Sequence, residues 1–236
     1  TAASPPRIFC AMMHIETSYQ ARRGYAAAAR ETWARHCDGF VLWDENQGDI
    51  AALDAESAKE DPPVDFRPRP SGLSHRWLRT RRLFRHLLRH EADGYDWFLF
   101  FDDGGFPVVE NVRRLVGVLE FEAQAFVLSD RDRAAPFGGL LNREALRQLK
   151  APFDKPNRSC PAPTRDAPLS SVQAYAALWR CAAATQVAWD SEVAFRDALG
   201  CSDGEESVLN LKVRNNRAAC RHAVMAYMVP DPSWMA

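Results

Sequence analysis

Tyr95-Asp96-Trp97-Phe98-Leu99-Phe100-Phe101-Asp102-Asp103 decides how this chain is read, because five apolar residues in a row stop at two adjacent acids. The aromatic content and shortness of the run, and the Gly104-Gly105-Phe106-Pro107 breaker after it, predict a buried central strand rather than a helix. In open α/β sheets ligands gather beyond the carboxyl ends of the strands, so Asp102 and Asp103 stand where chemistry is expected. Neighbouring carboxylates repel unless a cation lies beside them, and a divalent ion carrying a diphosphate is the usual occupant. The competing reading makes Asp102 a cap for the helix that starts near Val108 and leaves Asp103 solvated.

Working outward, Arg7 to Met13 reads as a first buried strand, Arg22 to His36 as an alanine-rich helix, and Gly39 to Trp43 as a second short strand. Strand, helix, strand predicts a parallel sheet with helices on its faces. Residues 44–72 are polar and proline-rich, with one helical turn around Ala51 to Lys59. Ser74 to His90 is amphipathic: Leu83, Phe84, Leu87 and Leu88 share a face, while Arg76, Arg79, Arg82, Arg85 and Arg89 populate others and read as a solvated surface. After the acid pair come a helix from Val108 to Phe121, a strand from Ala125 to Leu128, and the tight Phe137-Gly138-Gly139-Leu140-Leu141 segment leading into a helix from Arg143 to Leu149. Ala151 to Pro168 reads as a loop. Helical patterns follow over Leu169–Ala184 and Ser191–Leu199, Asp203-Gly204-Glu205-Glu206 opens another helix, and Ala223–Val229 is a last strand.

With 236 residues, 47% of them hydrophobic, the chain can bury one sizeable core, and 1–236 reads as a single domain. Thirty basic and 31 acidic residues leave a formal charge of -1 and no electrostatic case for nucleic acid or an anionic membrane as partner. No apolar stretch approaches the roughly 20 residues that span a bilayer. Thr1-Ala2-Ala3-Ser4-Pro5-Pro6 lacks a signal pattern, so the chain reads as an excised lumenal domain whose anchor would lie upstream. The six cysteines contain no CxxC pair, which excludes a zinc ribbon or thioredoxin motif and leaves disulfides and free buried thiols both open. Asn157-Arg158-Ser159 is a glycosylation sequon and tilts the balance toward a secretory-pathway protein.

In that order the local motifs resemble the fringe-like glycosyltransferases of family 31, most closely the core 1 β1,3-galactosyltransferase branch. Arg7-Ile8-Phe9-Cys10-Ala11-Met12-Met13 is similar to that family's cysteine-bearing first strand, and Arg30-Glu31-Thr32-Trp33-Ala34-Arg35-His36-Cys37 to its Thr-Trp helix. Asp96-Trp97-Phe98-Leu99, Asp102-Asp103 and Glu110-Asn111-Val112-Arg113 are similar to its acid-bearing strand and following helix. Gly138-Gly139-Leu140-Leu141-Asn142-Arg143-Glu144-Ala145-Leu146 is similar to its acceptor strand, Glu205-Glu206 to its Glu-Asp element, and Met228-Val229-Pro230 to its late Phe-Val-Pro. Residues 151–200 exceed the family pattern and read as an insertion.

The resemblance implies an α/β domain of GT-A (Rossmann-like) type: a mixed, mostly parallel sheet flanked by helices. It implies a UDP-sugar donor, UDP-galactose above all, Mn²⁺ under the diphosphate, a glycan or glycoprotein acceptor, a type II anchor upstream, and residence in the Golgi or endoplasmic reticulum lumen. A homodimer is compatible with it. It also implies a Cys10–Cys37 disulfide; with that pair set, sequence proximity joins Cys160 to Cys181 and Cys201 to Cys220, one of fifteen pairings. An inverting transferase needs a base for the acceptor hydroxyl, and Glu206 matches it with Glu205 in reserve; the alternative makes both acids first-turn residues of a helix. The resemblance puts Phe137, Gly138 and Gly139 at the acceptor and the nucleotide near His14 and Asp102.

The sequence departs from the family pattern twice. Gly104 stands where a third aspartate would bind the metal, and Ala226 where a histidine ligand would. His222, four residues earlier, would lie about 13 Å away along a strand. If a cation is dispensable, arginines such as Arg79 and Arg82 are candidates to neutralise the diphosphate. Loss of both ligands also supports a non-catalytic relative, a chaperone or binding module for an active paralogue. A hydrolase using Asp102 and Asp103 as acid and nucleophile has no second motif in its favour.

Overall fold

An unbroken apolar run can bury both of its faces only between two layers, and Ile8–Met13 does so as strand β1, with all six residues buried. The computed structural model describes residues 4–13, 23–43, 76–102, 105–118, 126–128, 138–162, 174, 177–178, 180–182, 188–189 and 225–227. Helix α1 (Arg23–Glu31), a 3₁₀ turn (Trp33–His36) and strand β2 (Gly39–Trp43) follow β1. Helix α2 (Arg76–His86) continues through a π-helical turn (Leu87–Glu91) to β3 (Trp97–Asp102), the strand expected ahead of the acid pair. Then come β4 (Gly105–Pro107), α3 (Val109–Val118), β5 (Phe126–Leu128), β6 (Gly138–Asn142), α4 (Arg143–Gln148), α5 (Lys150–Asp154), β7 (Ala188–Trp189) and β8 (Met225–Tyr227).

The main sheet has the order β2-β1-β3-β6-β5-β7. β2, β1 and β3 are parallel, β6 is antiparallel to both β3 and β5, and β7 is parallel to β5. One reversed strand thus sits in an otherwise parallel sheet, which is the mixed, mostly parallel α/β architecture expected. Strand alternation sorts the core into two layers. Phe9, Ala11, Met13, Phe98, Phe100 and Leu141 pack with Trp77, Leu83, Phe84 and Leu87 of α2. On the other face Ile8, Cys10, Met12, Leu99, Phe101 and Leu140 pack with α1, the 3₁₀ turn and Val109, Val112 and Val116 of α3.

The first helix is shorter than expected. It ends at Glu31, where the Thr32 hydroxyl donates to the Ala28 carbonyl at 2.6 Å, and the chain tightens so that Cys37 bonds to Cys10 of β1. Gly39 is required by close approach: a β-carbon there would overlap the Tyr95 hydroxyl and lie 2.6 Å from Phe9 Cδ2.

One further expectation changes. The loop from Ala151 begins instead as α5, with Pro152 in the first turn, where a missing N–H costs nothing. The helix expected over Leu169–Ala184 is present where it is described, at residues 174, 177–178 and 180–182, and Ala174, Ala177, Leu178 and Ala182 belong to the α2-side core, so part of the 151–200 segment is structural packing. Val172, Tyr175 and Trp179, which with Leu178 recur at helical spacing in the sequence and read as packing residues, lie outside the described residues. A Cys160–Cys181 disulfide holds this segment together.

The arginines of α2 are the larger correction, because the solvated face expected of them is buried. Arg79, Arg81, Arg82 and Arg85 are all 8% exposed or less. Arg81 Nη2 donates to the Phe153 carbonyl at 2.7 Å and Nη1 to the Pro161 carbonyl at 3.3 Å; Arg85 Nη2 donates to the same Phe153 carbonyl at 3.0 Å. Trp77 Nε1 adds a 2.9 Å bond to Pro161. Helix-end carbonyls with no partner of their own, as at the end of α5, are suited to guanidinium donors, while the arginine stems pack as hydrocarbon.

Candidate functional site at the strand ends

The start of the central strands is occupied by structural acids. Asp96 Oδ2 accepts from the Arg7 backbone N–H at 2.8 Å and Oδ1 from Arg143 Nη2 at 2.7 Å, while Arg143 Nε donates to the Tyr95 carbonyl at 2.8 Å. Asp38 Oδ2 accepts from the Ile8 N–H at 2.7 Å and from Arg113 Nη2 at 2.8 Å. Arg113 also donates to the Pro6 and His36 carbonyls. These acids tie β1 to its neighbours and leave the other end of the sheet as the place for a ligand.

At that end, Met13 is paired with Trp43 on one side and Asp102 on the other, so β2, β1 and β3 finish level. From β1 the chain crosses to β2 on one side and later to β3 on the other, which makes the gap beyond β1 and β3 the topological switch point, where ligands bind in such sheets. The antiparallel register sets Gly138 opposite Phe101 and Gly139 opposite Phe100, so the expected acceptor segment arrives beside the end of the acid-bearing strand. A separate ladder, β4 with β8, pairs Gly105 with Tyr227, Phe106 with Ala226 and Pro107 with Met225. The structure therefore sets Gly138 and Gly139 beside the end of β3, and pairs Ala226 with Phe106, four residues beyond Asp102 in sequence. His14, Asp103, Gly104, Phe137, Cys201, Glu205, Glu206 and Cys220 lie outside the described residues. Arg79 and Arg82 sit on α2, buried as described.

Asn157 is exposed, and its Oδ1 accepts from the Ser159 and Cys160 N–H groups at 2.8 and 2.9 Å, an Asx turn next to the second disulfide. Sequence reasoning passed over His86. It lies 5.6 Å from the Trp43 ring and 4.9 Å from the His90 ring, and burial, with His90 adding a smaller effect, pushes its pKa from 6.5 down to about 4. A histidine at the last turn of an otherwise apolar helix stripe was the available signal.

Among the described residues, this end of the sheet supplies few ligands for Mn²⁺. The β4–β8 register places Met225, Ala226 and Tyr227 against the segment that follows the acids, none of them a good ligand for a hard cation. Gly104 supplies no side chain. Asp102 and Asp103 remain as the chain's carboxylates there, and among the described residues no three His, Cys, Asp or Glu side chains converge.

The mixed, mostly parallel α/β fold is one that a solved glycosyltransferase shares. The structure overlays on a glycosyltransferase involved in the glycosylation of the major capsid of PBCV-1 with a TM-score of 0.52 and 11% identity, over 98% of this chain and 97% of that one. A nucleotide-diphospho-sugar transferase from Desulfovibrio desulfuricans G20 overlays at a TM-score of 0.39 and 13% identity, over 91% and 97% of the two chains. No protein-family model matches the sequence.

Proposed function

We propose that this chain is an inverting glycosyltransferase that moves a hexose, galactose by our reading, from a UDP-sugar to a hydroxyl of a glycan or glycoprotein. The observation that carries the reading is Asp102 at the carboxyl end of β3, level with the end of β1 at the switch point of a GT-A type sheet. The acceptor hydroxyl oxygen bonds to C1 of the sugar, the bond from C1 to the diphosphate oxygen breaks, and the hydroxyl proton passes to Glu206, with Glu205 in reserve. His14 and Asp102 border the nucleotide, and Phe137, Gly138 and Gly139 border the acceptor. Arg79 and Arg82 are our candidates to offset the charge of the departing UDP, because Asp102 and Asp103 are a thin donor set for a cation. The reading carries with it a lumenal setting in the Golgi or endoplasmic reticulum, behind an upstream anchor, with Asn157 glycosylated.

Calorimetric titration of the chain with UDP, with and without Mn²⁺, tests it. Metal-independent binding that Arg79→Met weakens is the expected result. Metal-dependent binding would restore the cation to Asp102 and Asp103. Absence of binding in both conditions favours the non-catalytic reading, for which the replacement of two ligand positions by Gly104 and Ala226 is the motivating observation.

A further inference from the structure

We infer that His86 is a positioning residue for the strand-end site: packed against Trp43, the last residue of β2, it holds that strand end while its ring is uncharged and releases it when the ring takes up a proton. The ligand at that end rests on the transfer reading; the release itself does not. The contact is direct, with the two rings 5.6 Å apart between centroids and tilted by 41°. Trp43 is paired with Met13, and Met13 in turn with Asp102, so whatever moves Trp43 acts on the end of the sheet where the site is expected. β2 is the first strand in the sheet order and, among the described residues, has a ladder partner on one side alone, which leaves its last residue dependent on the layer packed against it.

Packing, rather than hydrogen bonding, keeps the pair together. Trp43 is 2% exposed and His86 8%, and among the described residues neither the indole Nε1 nor the imidazole Nδ1 has a hydrogen-bond partner. An uncharged imidazole fits such a place, whereas an imidazolium brings two N–H donors and a charge that need partners. Immediately after His86 the helix widens into the π turn Leu87–Glu91, so the α-helical ladder is already interrupted where the ring would have to move.

The groups around the ring pull in both directions. On the π turn, His90 lies 4.9 Å away between centroids and opposes a second positive charge, while Glu91 Oε1, 3.9 Å from His86 Nε2, favours it. Arg82 and Arg85 on α2 and Arg89 on the turn add positive charge, each with a partner of its own. β2 contributes the Trp43 ring face, which favours a cation, and no titratable group. Burial is the largest effect and His90 adds to it, so the pKa falls from 6.5 to about 4. A ring released to water regains the ordinary value; the released form therefore binds the proton first and gains on the packed form by about thirtyfold as the pH falls from 7 to 5.

Hydrogen exchange of the Trp43 indole N–H, identified by its loss in Trp43→Phe, reads the release in the full chain. Its protection, corrected for the intrinsic exchange rate, should fall about thirtyfold between pH 7 and 5 in the parent and stay level in His86→Gln. Low urea should leave exchange at Trp43 unchanged while it speeds that of Trp33, whose indole is buried on the opposite face of the sheet and reports global unfolding. Saturating UDP should raise the protection of Trp43. A pH-dependent fall that survives in His86→Gln, a urea slope at Trp43 equal to that at Trp33, or bound UDP that leaves Trp43 no better protected each overturns the assignment. His90→Gln, whose replaced ring is exposed, carries the test if His86→Gln does not fold: removing the smaller cause should shrink the fall, and an unchanged fall overturns the assignment. If UDP does not bind at pH 7 the transfer reading fails, while the exchange and urea results still decide whether His86 holds the end of β2.

Discussion

Asp96, just before β3, and Asp102, at its end, stand in contrasting settings. Asp96, at the start, is committed to the fold: one oxygen holds the Arg7 N–H and the other holds Arg143. Asp102, at the end, lies level with Met13 at the switch point and next to the register position of Gly138. If the proposed function holds, a strand spends its first acid on positioning its neighbours and keeps its last for a ligand, and the two differ in which measurement notices their loss.

The contrast can be broken in order of expected effect. Asp102→Asn should lower the transfer rate by about 100-fold or more with little change in melting temperature, since groups that position a bound substrate typically contribute on that scale; a rate within a few-fold of the parent would remove Asp102 from the site. Arg81→Leu should cost about 2–4 kcal/mol of unfolding free energy in urea, because the Phe153 and Pro161 carbonyls lose a charged donor that is 1% exposed. An unaltered midpoint would mean that the buried arginine layer is replaceable by packing alone.

His86 sharpens the comparison through pH. Its folded pKa near 4 lies below the unfolded value of 6.5, so the unfolded chain binds the extra proton first as acid is added. Its contribution is fully present above pH 6.5 and is lost as the pH falls toward 4, a decline on the order of 2–3 kcal/mol. Denaturant melts across that window should show the decline in the parent and a flatter profile in His86→Gln. The smallest effect belongs to Asp96→Asn, about 1–2 kcal/mol, since its pair with Arg143 is partly solvated while its bond to the Arg7 N–H is not easily replaced. Turnover per folded molecule should stay at the parental level; a large drop there would erase the distinction between the two ends.

Much of the frame was legible where pattern and burial coincide. Gly39–Trp43 and the strand ending at Asp102 were read at the bounds the structure shows, because a continuous apolar run means the same thing in one dimension and in three. The α2 arginines were misread for a physical reason. Charge on a helix face predicts solvent unless acceptors come from elsewhere, and here they come from carbonyls about 70–80 residues away. β7, two residues long, is too short to leave a pattern. Of the candidate site, the position of Asp102 and its nearness to Gly138 follow from strand register, which sequence suggests and only a ladder establishes. Glu205 and Glu206 rest on motif order alone.

The β4–β8 ladder bears on how the molecule assembles. Gly105 meets Tyr227 across roughly 120 residues of intervening chain, whereas β1, β2 and β3 meet over shorter separations. Closing so long a loop is entropically slow, so the pairing beside the acid-bearing strand should form after the central sheet during folding. On a ribosome, the strands around Asp102 would be built well before β8 emerged to pair with β4.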